Sequence, residues 1–210
     1  LALHKDQTGH PGEAAALYSK AADLGVPQAQ YNLGYLHEHG QAGLQQDITL
    51  AVQWYTKAAE QNLPEAQHML GVLYTEGRGV PANHATAFSW FDKAAQQSLP
   101  VAEYQLGVLY AVGQGVEANT EQAAQWFLRA AVHDIPDAQF QIGHRYAQGG
   151  GIEQDIIQAY AWFNVAAIDG KHQAALEAKR RVHDRMTTEQ VTAGQVAHSK
   201  LLEKLRNKTP

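Results

Sequence analysis

The sequence predicts an all-α fold, a solenoid of stacked antiparallel helix pairs, on three observations. Ala66, Ala102, Ala138 and Ala174 follow one another at intervals of 36 residues, and Ala29 stands 37 before Ala66, so one unit repeats at a period typical of helical arrays. Each period carries two apolar stripes at the spacing of an amphipathic helix. Between the stripes lies a glycine-rich string that neither helix can absorb.

The unit is clearest from Ala102 to Pro136. Ala102, Leu106 and Tyr110 recur every fourth residue on a first helix, helix A, and Gly107 removes a side chain beside that stripe, which predicts that another backbone comes close there. The run GQGVEAN at 113–119 ends helix A, since each glycine costs a helix about 1 kcal/mol. Asn119 with Gln122 three residues on marks the N-cap of helix B, whose stripe is Ala123, Trp126, Phe127, Ala130 and Ala131. Asp134 and Pro136 stop that helix and start the next, proline being tolerated in a first turn.

In chain order, residues 11–24 match a helix B, with Ala14, Leu17, Tyr18, Lys20, Ala21 and Ala22 in phase with Ala51, Trp54, Tyr55, Lys57, Ala58 and Ala59. Residues 1–28 therefore read as a partial repeat. It is either an array truncated inside a repeat, which leaves Leu17 and Tyr18 less well covered, or a dedicated N-terminal cap. Four full repeats follow, at 29–65, 66–101, 102–137 and 138–173. The first is looser, with His37 where the others have Tyr74, Tyr110 and Tyr146, and its loop GQAGLQQD holds the extra residue. The stretch 174–210 reads as a capping pair. Its first helix has Ala174 and Ala178 inside, and Thr187 with Gln190 caps a final helix whose apolar positions are Val191, Val196, Leu201, Leu202 and Leu205. The last residues, KLRNKTP, are basic and end in proline, and the final few are expected to fray. The unbroken repeat makes residues 1–210 a single domain.

The pattern AxxxLGxxYxxGxGV followed by AxxWxxxAA, carried by Leu70, Gly71, Tyr74, Gly77, Gly79, Ala87, Trp90 and Ala94 and their counterparts over residues 29–170, resembles the Sel1-like repeat family, relatives of the tetratricopeptide repeats. The resemblance implies a right-handed α/α superhelix that scaffolds protein complexes, often in bacteria, and no particular reaction.

Composition narrows the function classes. The chain has 210 residues, 45% hydrophobic and 18% charged, enough apolar material for a core that in a solenoid is an extended strip. There is no run of 18 apolar residues, and the N-terminal LALHKDQTGHPGE lacks a secretory core and cleavage site. A chain that starts without methionine reads as a fragment, from which a leader could have been removed. The absence of cysteine excludes disulfides, thiol chemistry and Cys-ligated metal. Compartment stays open between bacterial periplasm, secretion and cytoplasm, and the resemblance leans toward the envelope. Residues 1–170 hold 7 Lys and Arg against 17 Asp and Glu, whereas 171–210 hold 9 against 4. An acidic body disfavours a nucleic-acid partner. The basic cap, with Lys171, Lys179, Arg180, Arg181 and Arg185, offers a weak contact to an anionic lipid or partner, the plainer reading being a solvated charged face with helix-end complementarity.

No catalytic residue, metal site or cofactor is expected. The eleven histidines lack zinc-ligand spacing, and His37 and His39 point to different sides of one helix. The GRG, GQG and GGG strings recur between helices, as a structural turn does and a single active site does not. Glu38 and Glu76 read as helix-end surface charge. Trp54, Trp90, Trp126 and Trp162 recur at one helix B position and are expected to fill the space opposite the helix A glycines, so truncating one should cost about 3–5 kcal/mol.

The binding surface is expected on the concave side, on helix A positions turned about 200° from the core row. That row is Tyr31, His68, Tyr104 and Phe140, followed one turn on by Tyr35, Val72, Val108 and His144, with Glu38, Glu65, Glu76 and Asp137 beside it. It suits a protein or peptide with apolar anchors and some positive charge. The alternative is that these side chains pack between neighbouring helices A. Two function classes follow: a protein-interaction scaffold and, from the resemblance, a bacterial envelope or cell-wall factor with hydrolase or penicillin-binding activity, for which the chain offers no nucleophile paired with a base.

Overall fold

In the computed structural model of the protein, residues 11–207 are described, with side chains from residue 13. The expectations about a secretory leader and about fraying at 208–210 lie outside the described residues. Every regular element among them is a helix: α1 Pro11–Asp23, α2 Pro27–His39, α3 Ile48–Glu60, α4 Pro64–Glu76, α5 His84–Gln96, α6 Pro100–Val112, α7 Thr120–Ala131, α8 Pro136–Gln148, α9 Ile156–Ala166, α10 Gln173–His183 and α11 Thr188–Arg206. Even-numbered helices through α10 are the helices A, and odd-numbered helices through α9 are the helices B.

Tertiary contacts group the chain into two compact units, Leu1–Ala102 and Glu103–Pro210. In the first, α1 packs on α2, α2 on α3, α3 on α4 and α4 on α5. Its core joins Ala51, Tyr55, Ala58 and Ala59 of α3 to Ala66, Leu70 and Leu73 of α4. In the second, α7 packs on α8, α8 on α9, and α9 on both α10 and α11. The contact alanines, among them Ala58, Ala94, Ala130 and Ala138, are fully buried, and their size lets helices lie close without large side chains.

Helix ends follow the expected chemistry. Asp47, Asn83, Asn119 and Asp155 each accept a hydrogen bond from a first-turn amide of helix B, satisfying donors that a helix start leaves orphaned. Helices A end on left-handed glycines such as Gly77, whose N–H donates to the Leu73 carbonyl. The N–H of the following N-cap reaches back to a helix A carbonyl, Asn83 to Tyr74 at 2.8 Å and Asp47 to His37 at 2.8 Å. Because the backbone makes this bond, His37 can replace tyrosine in the first repeat. Thr187 and Gln190 form a full capping box on α11.

Four details differ from the sequence expectations. The helix A glycines face aromatic rings more than backbone: a Cβ on Gly71 would stand 2.6 Å from Phe91, one on Gly107 2.7 Å from Phe127 and one on Gly143 2.8 Å from Phe163, and only Gly34 also meets a carbonyl, that of Ala51. The ring in that space is therefore the residue after each tryptophan. Trp54 and Trp90 are half-buried flanking residues, each with a lysine ammonium over its face, Lys57 at 3.8 Å and Lys93 at 4.0 Å. In the capping pair, Ala174 is exposed and Ala175 is buried, with Ala178 and Val182. The connection explains it. Asn62, Ser98 and Asp134 adopt positive φ two residues before the next helix starts, whereas Gly170 does so three before Gln173, so α10 is displaced by one residue. Finally, α11 buries Gly194 and Leu205 and leaves Val196 half exposed. Gly194 sits under Tyr160, 2.6 Å from where its Cβ would be, a close approach hidden in the sequence because α11 lies outside the repeat.

Candidate functional site

The residues of the expected face lie on the helices A. Tyr31, His68, Tyr104 and Phe140 are half-buried. Each leans on the aromatic ring of its own helix pair, with centroids at 5.5 Å for Tyr31 and Tyr55, 5.6 Å for His68 and Phe91, 5.7 Å for Tyr104 and Phe127 and 5.8 Å for Phe140 and Phe163. This row flanks the A–B contact, because the ring over the helix A glycine is wide enough to reach it. Burial raises the Tyr31 and Tyr104 hydroxyls and lowers the His68 imidazole from their ordinary values.

In the second row only Tyr35 is more exposed than the first. Tyr35 is exposed and stacks on His39 at 4.1 Å, and Val72, Val108 and His144 are half-buried. Tyr31, Tyr35, His68 and Val72 belong to the first unit, and Tyr104, Val108, Phe140 and His144 to the second.

The acidic residues divide. Glu65 is exposed, and Asp137 is exposed and lies 3.3 Å from the His172 ring. Glu38 is a correction: it is 3% exposed and not a surface charge. The Tyr55 hydroxyl donates to one of its oxygens at 2.8 Å and the Arg78 guanidinium binds the other at 3.0 Å. Arg78 also pairs with Glu76 at 3.0 Å, so Glu76 is held at the rim while Glu38 is committed inside. Burial, then the bond to Glu38, push the Tyr55 hydroxyl far above its usual range, so it remains a donor.

A polar ladder was not legible in the sequence. Gln30, Gln67 and Gln139 are buried at the fourth position of their helices and donate to the carbonyls of Ala22, Ala59 and Ala131 at the end of the preceding helix B. Gln61 and Gln97 close it by donating to Gln30 and Gln67. Glu103 takes this position in α6 and is 1% exposed, bound by Arg129 at 2.8 Å while Arg129 covers Trp126 at 4.4 Å. The glutamine after Ala29, Ala66 and Ala138 was the available signal.

Among the described residues no group of three His, Asp or Glu side chains is placed to hold a metal ion, and no helix is long and apolar enough to cross a membrane. The geometry is that of an α-solenoid presenting side chains from one helix of each pair.

Comparison places this class more narrowly. The Sel1 repeat model matches residues 11–26, 27–63, 64–99, 100–131 and 136–171, and the chain belongs to the Sel1 repeat family. Sel1 repeats are in general protein–protein interaction modules, and proteins built from them are in general non-enzymatic scaffolds. Among solved structures the chain is similar to a protective antigen of uropathogenic Escherichia coli with an SLR fold, at 31% identity and a TM-score of 0.88, over 98% of this chain and 44% of that one. It is similar to a Sel1 repeat protein from Oxalobacter formigenes at 32% identity and a TM-score of 0.79, over 98% and 84%. The chain thus spans less than half the length of the E. coli protein. The immunity protein Pa5087 of Pseudomonas aeruginosa, 22% identical with a TM-score of 0.51 over 93% of this chain and 75% of that one, shares the fold alone. No curated protein sequence matches the chain.

Proposed function

We propose that the protein is an interaction module that holds a segment of a partner protein against the outer row of its helices A. The observation that supports this is Tyr35, an aromatic side chain left exposed one turn beyond Tyr31, which packs on Tyr55, with the half-buried Val72 at the equivalent position of the next helix A in the same unit. Aromatic and aliphatic anchors presented on rigid helices lose little freedom on binding and serve as hot spots. Since Arg78 pairs with both Glu38 and Glu76, the positive charge expected of a partner faces the exposed Glu65 in the first unit and the exposed Asp137 in the second. Peptides selected from a random display library against the immobilised chain should lose most of their affinity for a Tyr35→Ala, Val72→Ala variant whose helical circular dichroism and melting are retained. Undiminished binding by that folded variant would remove the outer row from the site.

A further inference from the structure

Between α8 and α10 of the second unit lies a cleft of about 230 Å³ lined by His144, Ala147, Gln148, Phe163, Ala178, Arg181, Val182 and Arg185. Its floor is apolar, formed by Phe163, Ala178 and Val182, all buried. Its rim is polar and basic. Arg181 comes from the last turn of α10 and Arg185 from the turn that follows it, and both are exposed.

Neither arginine is engaged. Among the described residues no carboxylate pairs with Arg181 or Arg185, and Asp184 between them is turned to His183 at 3.6 Å. No acidic side chain lines the cleft. His144 makes ring contacts with Phe140 at 5.5 Å and Phe163 at 6.2 Å and hydrogen-bonds to no described residue. Complementing the helix dipole accounts for basic residues at the end of α10. It does not account for two of them standing beside an apolar cavity. The surrounding stretch 171–210, with 9 Lys and Arg against 4 Asp and Glu, adds a positive field that steers anions to this end of the chain.

We infer that this cleft is a docking site for an acidic peptide segment, taking one apolar side chain against Phe163 and Val182 and a neighbouring Asp or Glu carboxylate between Arg181 and Arg185. The volume sets the class. It is below the roughly 300 Å³ at which small-molecule pockets begin, yet has room for one aliphatic side chain. Guanidinium groups hold a carboxylate through paired N–H donors, which a phosphate-rich surface does not require to be next to an apolar group. The inference rests on the reading that partners lie along the helices A, and gives its C-terminal end a charge preference opposite to that of the acidic residues Glu65 and Glu76.

The probe is a fluorescein-labelled, acetylated and amidated hexapeptide of alternating leucine and glutamate, with its glutamine counterpart as control. Anisotropy titration should show saturable binding of the glutamate peptide, at least about tenfold weaker binding of the glutamine peptide, and a fall on going from about 20 mM to about 300 mM salt. Arg181→Glu with Arg185→Glu should weaken the glutamate peptide by at least about tenfold with unchanged melting, since both side chains are exposed. The milder pair Arg181→Gln with Arg185→Gln should weaken it less. Equal binding of the two peptides, or indifference to both arginine pairs, would overturn the inference. So would flotation with phosphatidylglycerol vesicles without affinity for the peptide, which would assign the arginines to a membrane surface. Display-selected peptides that bind through Tyr35 and Val72 while the glutamate hexapeptide fails would remove this inference and leave the broader interaction reading standing.

Discussion

At the scale of single residues, the tightest constraint is the glycine under each aromatic ring. A methyl group on Gly71 would lie 2.6 Å from the Phe91 ring, and Phe91 is buried, so Gly71→Ala forces the ring or the helix to move. Overpacking of this kind costs about 1–3 kcal/mol. Urea denaturation should show that loss, and adding Phe91→Leu should recover part of it; a Gly71→Ala variant as stable as the parent would mean that the ring does not sit there. His68 gives a pH dependence. Burial holds its folded-state pKa below the ordinary 6.5, and burial with Lys179 acts the same way on His198. The folded protein therefore prefers the neutral ring. Stability is complete above 6.5 and declines as pH drops through the lower folded-state value. Between about pH 7.5 and about pH 5 the melting temperature should fall more in the parent than in His68→Tyr, which installs the residue found at the equivalent positions 31 and 104. Equal falls would exclude His68 as a contributor.

At the scale of elements, the B-to-A connection decides how successive pairs stack. Asn62, Ser98 and Asp134 hold φ near +60° there, a region that costs an ordinary L-residue about 1–2 kcal/mol and that Asn and Asp tolerate best. Serine is the least suited of the three. Ser98→Gly should therefore raise stability by about 0.5 kcal/mol after the entropy that glycine adds to the unfolded chain, whereas Asn62→Gly should be neutral. Thermal melts of the two variants check this, and a destabilised Ser98→Gly would show that the serine side chain is needed. The connection to α10 shows the converse effect: one more residue after Gly170 moves the buried alanine from 174 to 175, and α10 still packs on α9 because Gln173 starts the helix one residue later.

At the scale of the whole molecule, repetition makes the unit removable. Residues 64–99 are 36 long, begin with Pro64 and end with Leu99, so their deletion joins Leu63 to Pro100 and recreates the Leu–Pro helix start at the junction. In a quasi-one-dimensional array the product should fold, with helical circular dichroism reduced in proportion to length and a lower melting temperature. An unfolded product would mean that stability is not shared out repeat by repeat. The charge division acts at the same scale. Residues 1–170 carry 7 Lys and Arg against 17 Asp and Glu, and residues 171–210 carry 9 against 4.

The sequence by itself determined the period, the two helices per repeat, and almost every helix end, because Asp47, Asn83, Asn119, Asp155 and Thr187 cap through bonds two or three residues long and local chemistry suffices to read them. It also placed the period alanines Ala29, Ala66, Ala102 and Ala138, whose repetition is itself the signal of burial, and failed at Ala174, where the connection is one residue longer. Tertiary structure alone decided which of two adjacent aromatic residues faces the helix A glycine. Trp90 and Phe91 are 100° apart on their helix, either could serve, and the crossing of α4 over α5 turns Phe91 inward and leaves Trp90 flanking. It decided the burial of Glu38, whose partner Arg78 is 40 residues away. It decided that Tyr31, His68, Tyr104 and Phe140 lean on the rings of helix B, since the breadth of a ring on helix B, invisible in the periodicity of helix A, sets how far the packed surface extends. And it assembled the Arg181 and Arg185 cleft from α8, α9 and α10, joining a repeat whose pattern is regular to a cap where the pattern has faded.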